Sequence, residues 1–178
     1  MPEEILNILD QNAKSIGTAT RNNIHQQGLL HAEVCLYLMQ AGNIGLQKKI
    51  IGNNKTIWTH SVSGHVLYNE TPLQALVREA KEELGIDIST YTPQDIDQFH
   101  RITQRNGKTN NRITYLYLLE WNGEIPQPHN EEVNGFRFFT PQHIESLIQD
   151  KLCTDSCAHI YKTYLLPYLN GTCTKNTE

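Results

Sequence analysis

Residues 64–86 read GHVLYNETPLQALVREAKEELGI, and toward its end this stretch gathers three glutamates and an arginine where a helix is about to stop. Thr71-Pro72-Leu73-Gln74 predicts the helix start: the threonine hydroxyl suits the cap, proline suits the first turn, and Gln74 completes a capping box. Gly85 supplies the stop. Between them Leu73, Leu76, Val77, Ala80 and Leu84 recur at helical spacing and predict one buried stripe. At about 100° per residue, Arg78 and Glu82 fall opposite that stripe, whereas Glu79 and Glu83 fall together on its flank.

The two pairs have opposite energetic signs. Arg78 and Glu82 are an i,i+4 pair of unlike charge, which stabilises a helix by roughly 0.2–0.5 kcal/mol. Glu79 and Glu83 repel by about as much. Glu82 and Glu83 also meet the negative end of the helix dipole, at a cost of about 0.3–1 kcal/mol each at low salt. A merely solvated helix face gains nothing for these costs. A divalent cation between Glu79 and Glu83 reverses the argument, because both carboxylates then face a doubly positive charge.

Read outward, the stretch has Gly64, five residues, Glu70, seven residues, Arg78-Glu79, two residues, Glu82-Glu83, one residue, Gly85 and the aliphatic Ile86. This resembles a complete Nudix box, with only Ala80 smaller than the family's usual residue. The resemblance implies an α/β/α sandwich whose strand, loop and helix hold Mg²⁺ or Mn²⁺ against a substrate diphosphate. By position it implies Glu79 and Glu83 as principal metal ligands, with the Gly64 carbonyl nearby. Glu82 is implied as a third acid, paired with Arg78 and available to a further ion or to the attacking water. Glu70 and Gly85 are implied as structural. The segment from Glu3 to Val34, followed by LQKK and WTHSVSGH, is similar to the branch that includes type I isopentenyl-diphosphate isomerases. There, histidines matching His25, His31 and His65 bind metal. The isomerase cysteine is Ser63 here, and its later glutamates align with Asn110 and Arg112.

The rest of the chain is consistent with small-molecule chemistry. With 178 residues, 38% of them hydrophobic, one core is expected. We expect a single Nudix domain over 1–178, with a hairpin extension (1–30), a core (31–150) and a C-terminal helix and tail (151–178). A net charge of −4 without a Lys/Arg block gives no electrostatic reason to expect nucleic acid. No basic leader or long apolar run is present, so a cytoplasmic protein without a membrane partner is expected. Cys153, Cys157, His159 and Cys173 match no usual zinc spacing.

Strands are expected at two short runs around residues 10–15, in HAEVCLYLMQ, GLQKKII, IWTHSVSGHV, FHRITQ, RITYLYLLEW and NGFRFFT, with helices over 141–148 and across CAHIYKTYLLPYL. HAEVCLYLMQ and RITYLYLLEW are apolar enough to be covered on both faces. Trp58, Tyr115 and Tyr117 are expected as core, and His25, His31 and His65 as structural hydrogen-bonders, because their glutamate partners are absent. Lys49 and Glu132 are the substrate-binding candidates, although a lysine at a strand end is usually solvated and Glu131-Glu132 reads as surface loop. The expected activity is Mg²⁺- or Mn²⁺-dependent hydrolysis of a phosphoanhydride in a nucleoside diphosphate linked to another group, or in a related diphosphate. The alternatives are isopentenyl-diphosphate isomerisation and a non-catalytic nucleotide-binding module.

Overall fold

A computed structural model describes residues 3–52, 55–105, 107–128 and 133–172. A hairpin of β1 (Ile5–Leu9) and β2 (Ser15–Thr20) leads into α1 (Arg21–Gln27), which Thr20 caps and Gly28 ends. The strands β3 (His31–Gln40), β4 (Asn43–Ile51), β5 (Lys55–Thr59) and β6 (Val62–His65) then precede α2 (Pro72–Leu84). After it come β7 (Gln94–Arg105), β8 (Lys108–Glu120), β9 (Val133–Phe139) and α3 (Pro141–Gln149). The chain closes with α4 (Asp155–Ile160), a π turn over Tyr161–Leu165 and α5 (Leu166–Leu169). Pro167 has no N–H to give to the preceding turn, which accounts for the widening of what the sequence presents as one helix.

The main sheet is mixed. Its path is β5-β4-β3-β8-β7, with β6 on β3 and β9 on β4, and β3 runs parallel to β8 from His31↔Arg112 to Met39↔Glu120. Alternation along β3 divides two cores. Val34, Leu36 and Leu38 pack beneath Leu76, Ala80 and Leu84 of α2, while Cys35 and Tyr37 pack with Ile144 of α3 and Cys157 of α4. Helices therefore cover both faces, as the nearly continuous apolar run of β3 requires.

Two expectations are corrected here. The run IWTHSVSGHV is two strands, because Ser61 interrupts the ladder: its hydroxyl donates to Gly45 O at 2.6 Å and accepts from Leu38 N at 2.8 Å. The chain thereby leaves β4, where Thr59 pairs with Gln47, and joins β3, where Val62 pairs with Leu36. In α2 the capping box and the left-handed Gly85 form as read, but Leu73 is 50% exposed and Ala75 is buried in its place. The buried face is rotated toward 75, 79 and 83, which draws the glutamates inward.

His60, between β5 and β6, is buried against Thr59 Oγ1 at 3.3 Å and stands edge-on to the Tyr37 ring. Burial first, and Lys49 second, depress its pKa to about 3. The unfolded chain, with an ordinary value of 6.5, takes up the proton first, so this contribution is complete above 6.5 and is lost as pH falls toward 3. Thermal melts of metal-free protein are expected to show a midpoint that drops below pH 6.5, and a shallower drop in His60→Gln. An unchanged slope in that variant excludes His60 as a source of acid sensitivity.

Candidate active site at the outer edge of the β6 strand

β6 is short and pairs only with β3 among the described strands, leaving its other edge to α2. Gly64 is required there by space, since a Cβ would overlap the carboxylate of Glu79. That carboxylate is mostly buried and its pKa is raised to about 7, by desolvation first and by Glu83 and Glu82 further, with Arg78 opposing. One turn on, Glu83 is 7% exposed and accepts three hydrogen bonds: from Ser63 N at 3.0 Å, Gln47 Nε2 at 2.9 Å and Lys49 Nζ at 2.7 Å.

Arg78 organises the loop between β6 and α2. Its Nε and Nη2 grip both oxygens of Glu70 at 2.8 and 3.0 Å, and Nη2 also donates to the His65 carbonyl at 2.8 Å. Its Nη1 reaches Glu79 at 2.8 Å and Glu82 at 3.1 Å. The arginine is thus more than half of an exposed helix pair: its side chain is 22% exposed where that of Glu82 is 60%. Glu70 in turn accepts from Leu67 N at 3.1 Å. Burial disfavours its charge, but the Arg78 and Leu67 hydrogen bonds outweigh burial and hold its pKa below the usual value.

The three box acids lie on one side of α2 without converging. Among the described residues, the group of ligand-type side chains whose donor atoms all lie within 4.8 Å of one another is His25, His31 and His65. Instead each box carboxylate is paired with a cation, Glu83 with Lys49, and Glu79 and Glu82 with the shared Arg78. The site fits a hard divalent ion in its chemistry: the donors are carboxylate oxygens, and the glycine cradle brings Glu79 against the backbone of β6. Lys49 is placed on the box itself. Glu131 and Glu132 lie outside the described residues, as does Cys173.

His25, His31 and His65, expected from the sequence as structural hydrogen-bonders, stand together as one group of imidazoles. His25 Nε2 and His65 Nε2 are 3.2 Å apart, and the three ring centroids are separated by 5.1–5.3 Å. His31 Nδ1 is engaged by Leu29 O at 3.0 Å, which leaves its buried Nε2 facing inward without a hydrogen bond of good geometry. Desolvation is the first cause of a lowered pKa in all three rings, so they are neutral near pH 7, the state that binds a metal. Asn110 and Arg112 both lie on β8, the second strand after the box. Asn110 Oδ1 is buried without a partner of good geometry, and Arg112 Nε is ion-paired with Glu33, which also accepts from Thr114 Oγ1 at 2.9 Å. Glu33 carries no motif and was not singled out by its sequence context.

A NUDIX domain model matches residues 29–155. The chain belongs to the NUDIX family. An isopentenyl-diphosphate Delta-isomerase of Serratia proteamaculans is 30% identical over 146 residues, covering 80% of this chain and 79% of that protein. Among solved structures, a Deinococcus radiodurans protein matches with a TM-score of 0.70 at 19% identity, over 89% of this chain and 97% of that one. A NUDIX hydrolase from Nitrosomonas europaea matches at 0.59 and 18% identity, over 79% and 89%. The chain is thus a NUDIX protein with the α/β/α fold, in the branch that contains the isomerases.

In this NUDIX site, Arg78→Ala strands Glu70, Glu79 and Glu82 together. A loss of about 1–3 kcal/mol is expected, the scale of hydrogen bonds to charged groups, whereas Glu82→Gln should change stability little. Denaturant unfolding of both variants in chelator measures the difference, and equal stabilities would show that the loop is not held by Arg78.

Proposed function

We propose that this chain is a Mg²⁺- or Mn²⁺-dependent hydrolase that cleaves a phosphoanhydride bond in a nucleoside diphosphate linked to another group, X, or in a related diphosphate. The observation that carries this reading is the intact acid set on α2 beside the Gly64 cradle, with Glu83 fixed by three donors. Glu79, Glu83 and the Gly64 carbonyl would hold the metal, which when bound neutralises the diphosphate and acidifies a coordinated water. Glu82, the most exposed of the three acids, is assigned to positioning that water. Lys49, on the edge of the same carboxylate cluster, is assigned to the substrate phosphate. Arg78 and Glu70 position the acids and do not touch substrate.

Glu83→Gln is expected to keep the fold and to lower turnover at least ~100-fold, the scale of removing a main electrostatic contributor. Release of phosphate or monophosphate from nucleoside diphosphates and triphosphates, nucleotide sugars and prenyl diphosphates, with and without chelator, measures it. Undiminished cleavage by folded Glu83→Gln would sink the metal assignment.

A second reading, isopentenyl-diphosphate isomerisation, is favoured by the convergent imidazoles of His25, His31 and His65. Against it, isomerisation needs one group to protonate an alkene carbon and another to remove a proton across it. Ser63 stands where the isomerases carry cysteine, and the place of a carboxylate is taken by Arg112, which is committed to Glu33. Neither wild type nor Ser63→Cys is therefore expected to interconvert isopentenyl and dimethylallyl diphosphates. Separation of the two isomers after incubation with metal decides it, and conversion by wild type would replace the hydrolase reading.

A further inference from the structure

Glu83 is held unevenly. Its Oε2 accepts from Ser63 N at 3.0 Å and from Gln47 Nε2 at 2.9 Å, whereas Oε1 meets the ammonium of Lys49 at 2.7 Å. These donors differ in how firmly they stand. Ser63 pairs with Cys35 of β3, and Gln47 lies in β4 between Thr59 of β5 and Phe136 of β9, so ladders fix both. Gln47 is also wholly buried, at 0% exposure. Lys49 reaches its oxygen through a flexible four-carbon stem, and its side chain is 26% exposed. One oxygen is therefore tied to the sheet and the other to a group that can move away.

An amide at position 47 is costly for stability. The carboxylate of Glu83 accepts, so the N–H end of Gln47 must face it and the carbonyl end must turn from it. That carbonyl oxygen is buried and has no hydrogen bond among the described residues. Burying an acceptor without a partner costs about as much as a hydrogen bond to a charged group contributes. A methionine, close to glutamine in shape, would fill the same space without that loss. What methionine lacks is the N–H that fixes Oε2.

We propose that Gln47 is a positioning residue for a divalent ion: by holding Oε2 against the sheet it turns Glu83 so that the ion meets Oε1, the oxygen that Lys49 can vacate. The inference rests on the reading of Glu83 as a metal ligand, and adds to it which oxygen serves and which side chain selects it. A carboxylate bound through one oxygen suits the octahedral shell of Mg²⁺, which keeps several of its waters and takes few protein ligands. Without the amide, Oε2 keeps only the Ser63 N–H, and the carboxylate turns about its terminal bond, whose torsion is broad. The two side chains that donate to Glu83 thus act on the ion in opposite senses. Lys49 occupies the oxygen the ion needs, and Gln47 fixes the one it does not.

Binding of Mg²⁺ to metal-free protein, followed by isothermal titration, tests this without catalysis. Mg²⁺ is the probe because imidazoles, such as those of His25, His31 and His65, hold it poorly. Wild type is compared with Gln47→Met, Lys49→Met, Glu83→Gln and the Gln47→Met/Glu83→Gln double variant, and denaturant unfolding in chelator checks that each is folded. Gln47→Met is expected to bind roughly 10–100-fold more weakly than wild type, the scale of removing a partner that orients a ligand. Lys49→Met is expected to bind more tightly. The double variant is expected to bind as Glu83→Gln does, because an effect exerted through Glu83 vanishes with its carboxylate. A general packing defect would instead weaken binding equally in both backgrounds. Where Gln47→Met does not fold, Gln47→Asn, which withdraws the amide by one methylene, takes its place with the same expectation. Unchanged or tighter binding by the folded Gln47 variant, or a loss that persists in full beside Glu83→Gln, overturns the proposal and leaves Glu83 a ligand. Undiminished binding by Glu83→Gln, or none by wild type, overturns both the proposal and the metal assignment on which it rests.

Discussion

The grip of Arg78 on three carboxylates and a carbonyl is the constraint from which the box geometry follows. Glutamates brought this close to one another and to a helix C-terminus repel, and the rotation of α2 buries two of them further. A single guanidinium offsets these costs by bonding to Glu70, Glu79 and Glu82 at once. Because it also bonds to the carbonyl of His65, it locks the helix to the end of β6. The spacing between Glu70 and Arg78 is therefore set by the length of the loop they close, and the Gly64 cradle by the need to seat Glu79 against that strand.

Much of this is legible in the sequence. The capping box of Thr71 and Gln74 and the stop at Gly85 are local chemistry, so sequence reports them faithfully. The long apolar runs of β3 and β8 likewise announced a sheet covered on both faces. What was missed depends on contacts between distant segments. Leu73 is exposed because the helix turns to admit Glu83 toward Gln47 and Lys49, which lie 36 and 34 residues away in the chain. The break at Ser61 depends on Gly45 and Leu38 offering it partners. Glu33 was invisible because it sits in an apolar strand pattern, and only the parallel pairing of β3 with β8 brings Arg112 and Thr114 to it.

The same parallel pairing explains how one small sheet presents two kinds of polar site. Acids that suit a hard cation are carried by a helix and meet the sheet at a strand edge, where no ladder partner competes for them. His31, His65 and the Arg112–Glu33 pair are carried by strands of the sheet, and His25 of α1 meets the other two imidazoles there. The three histidines therefore sit beside an amide, Asn110, and a guanidinium, Arg112, both carried by β8.

The bond between Lys49 and Glu83 has a kinetic side. A carboxylate that already holds an ammonium at 2.7 Å is not an empty socket. Any ion that Glu83 accepts must evict a tethered competitor whose local concentration never falls, so loading is an exchange and not a simple capture. Exchange weakens the net affinity, and it also provides a built-in route for departure: the lysine is ready to reclaim the oxygen as soon as the ion loosens. On the hydrolase reading proposed above, the evicted ammonium would be released beside the site as the ion arrives, free to meet an incoming phosphate. One lysine would then serve as the placeholder in one half of the cycle and as a contact in the other.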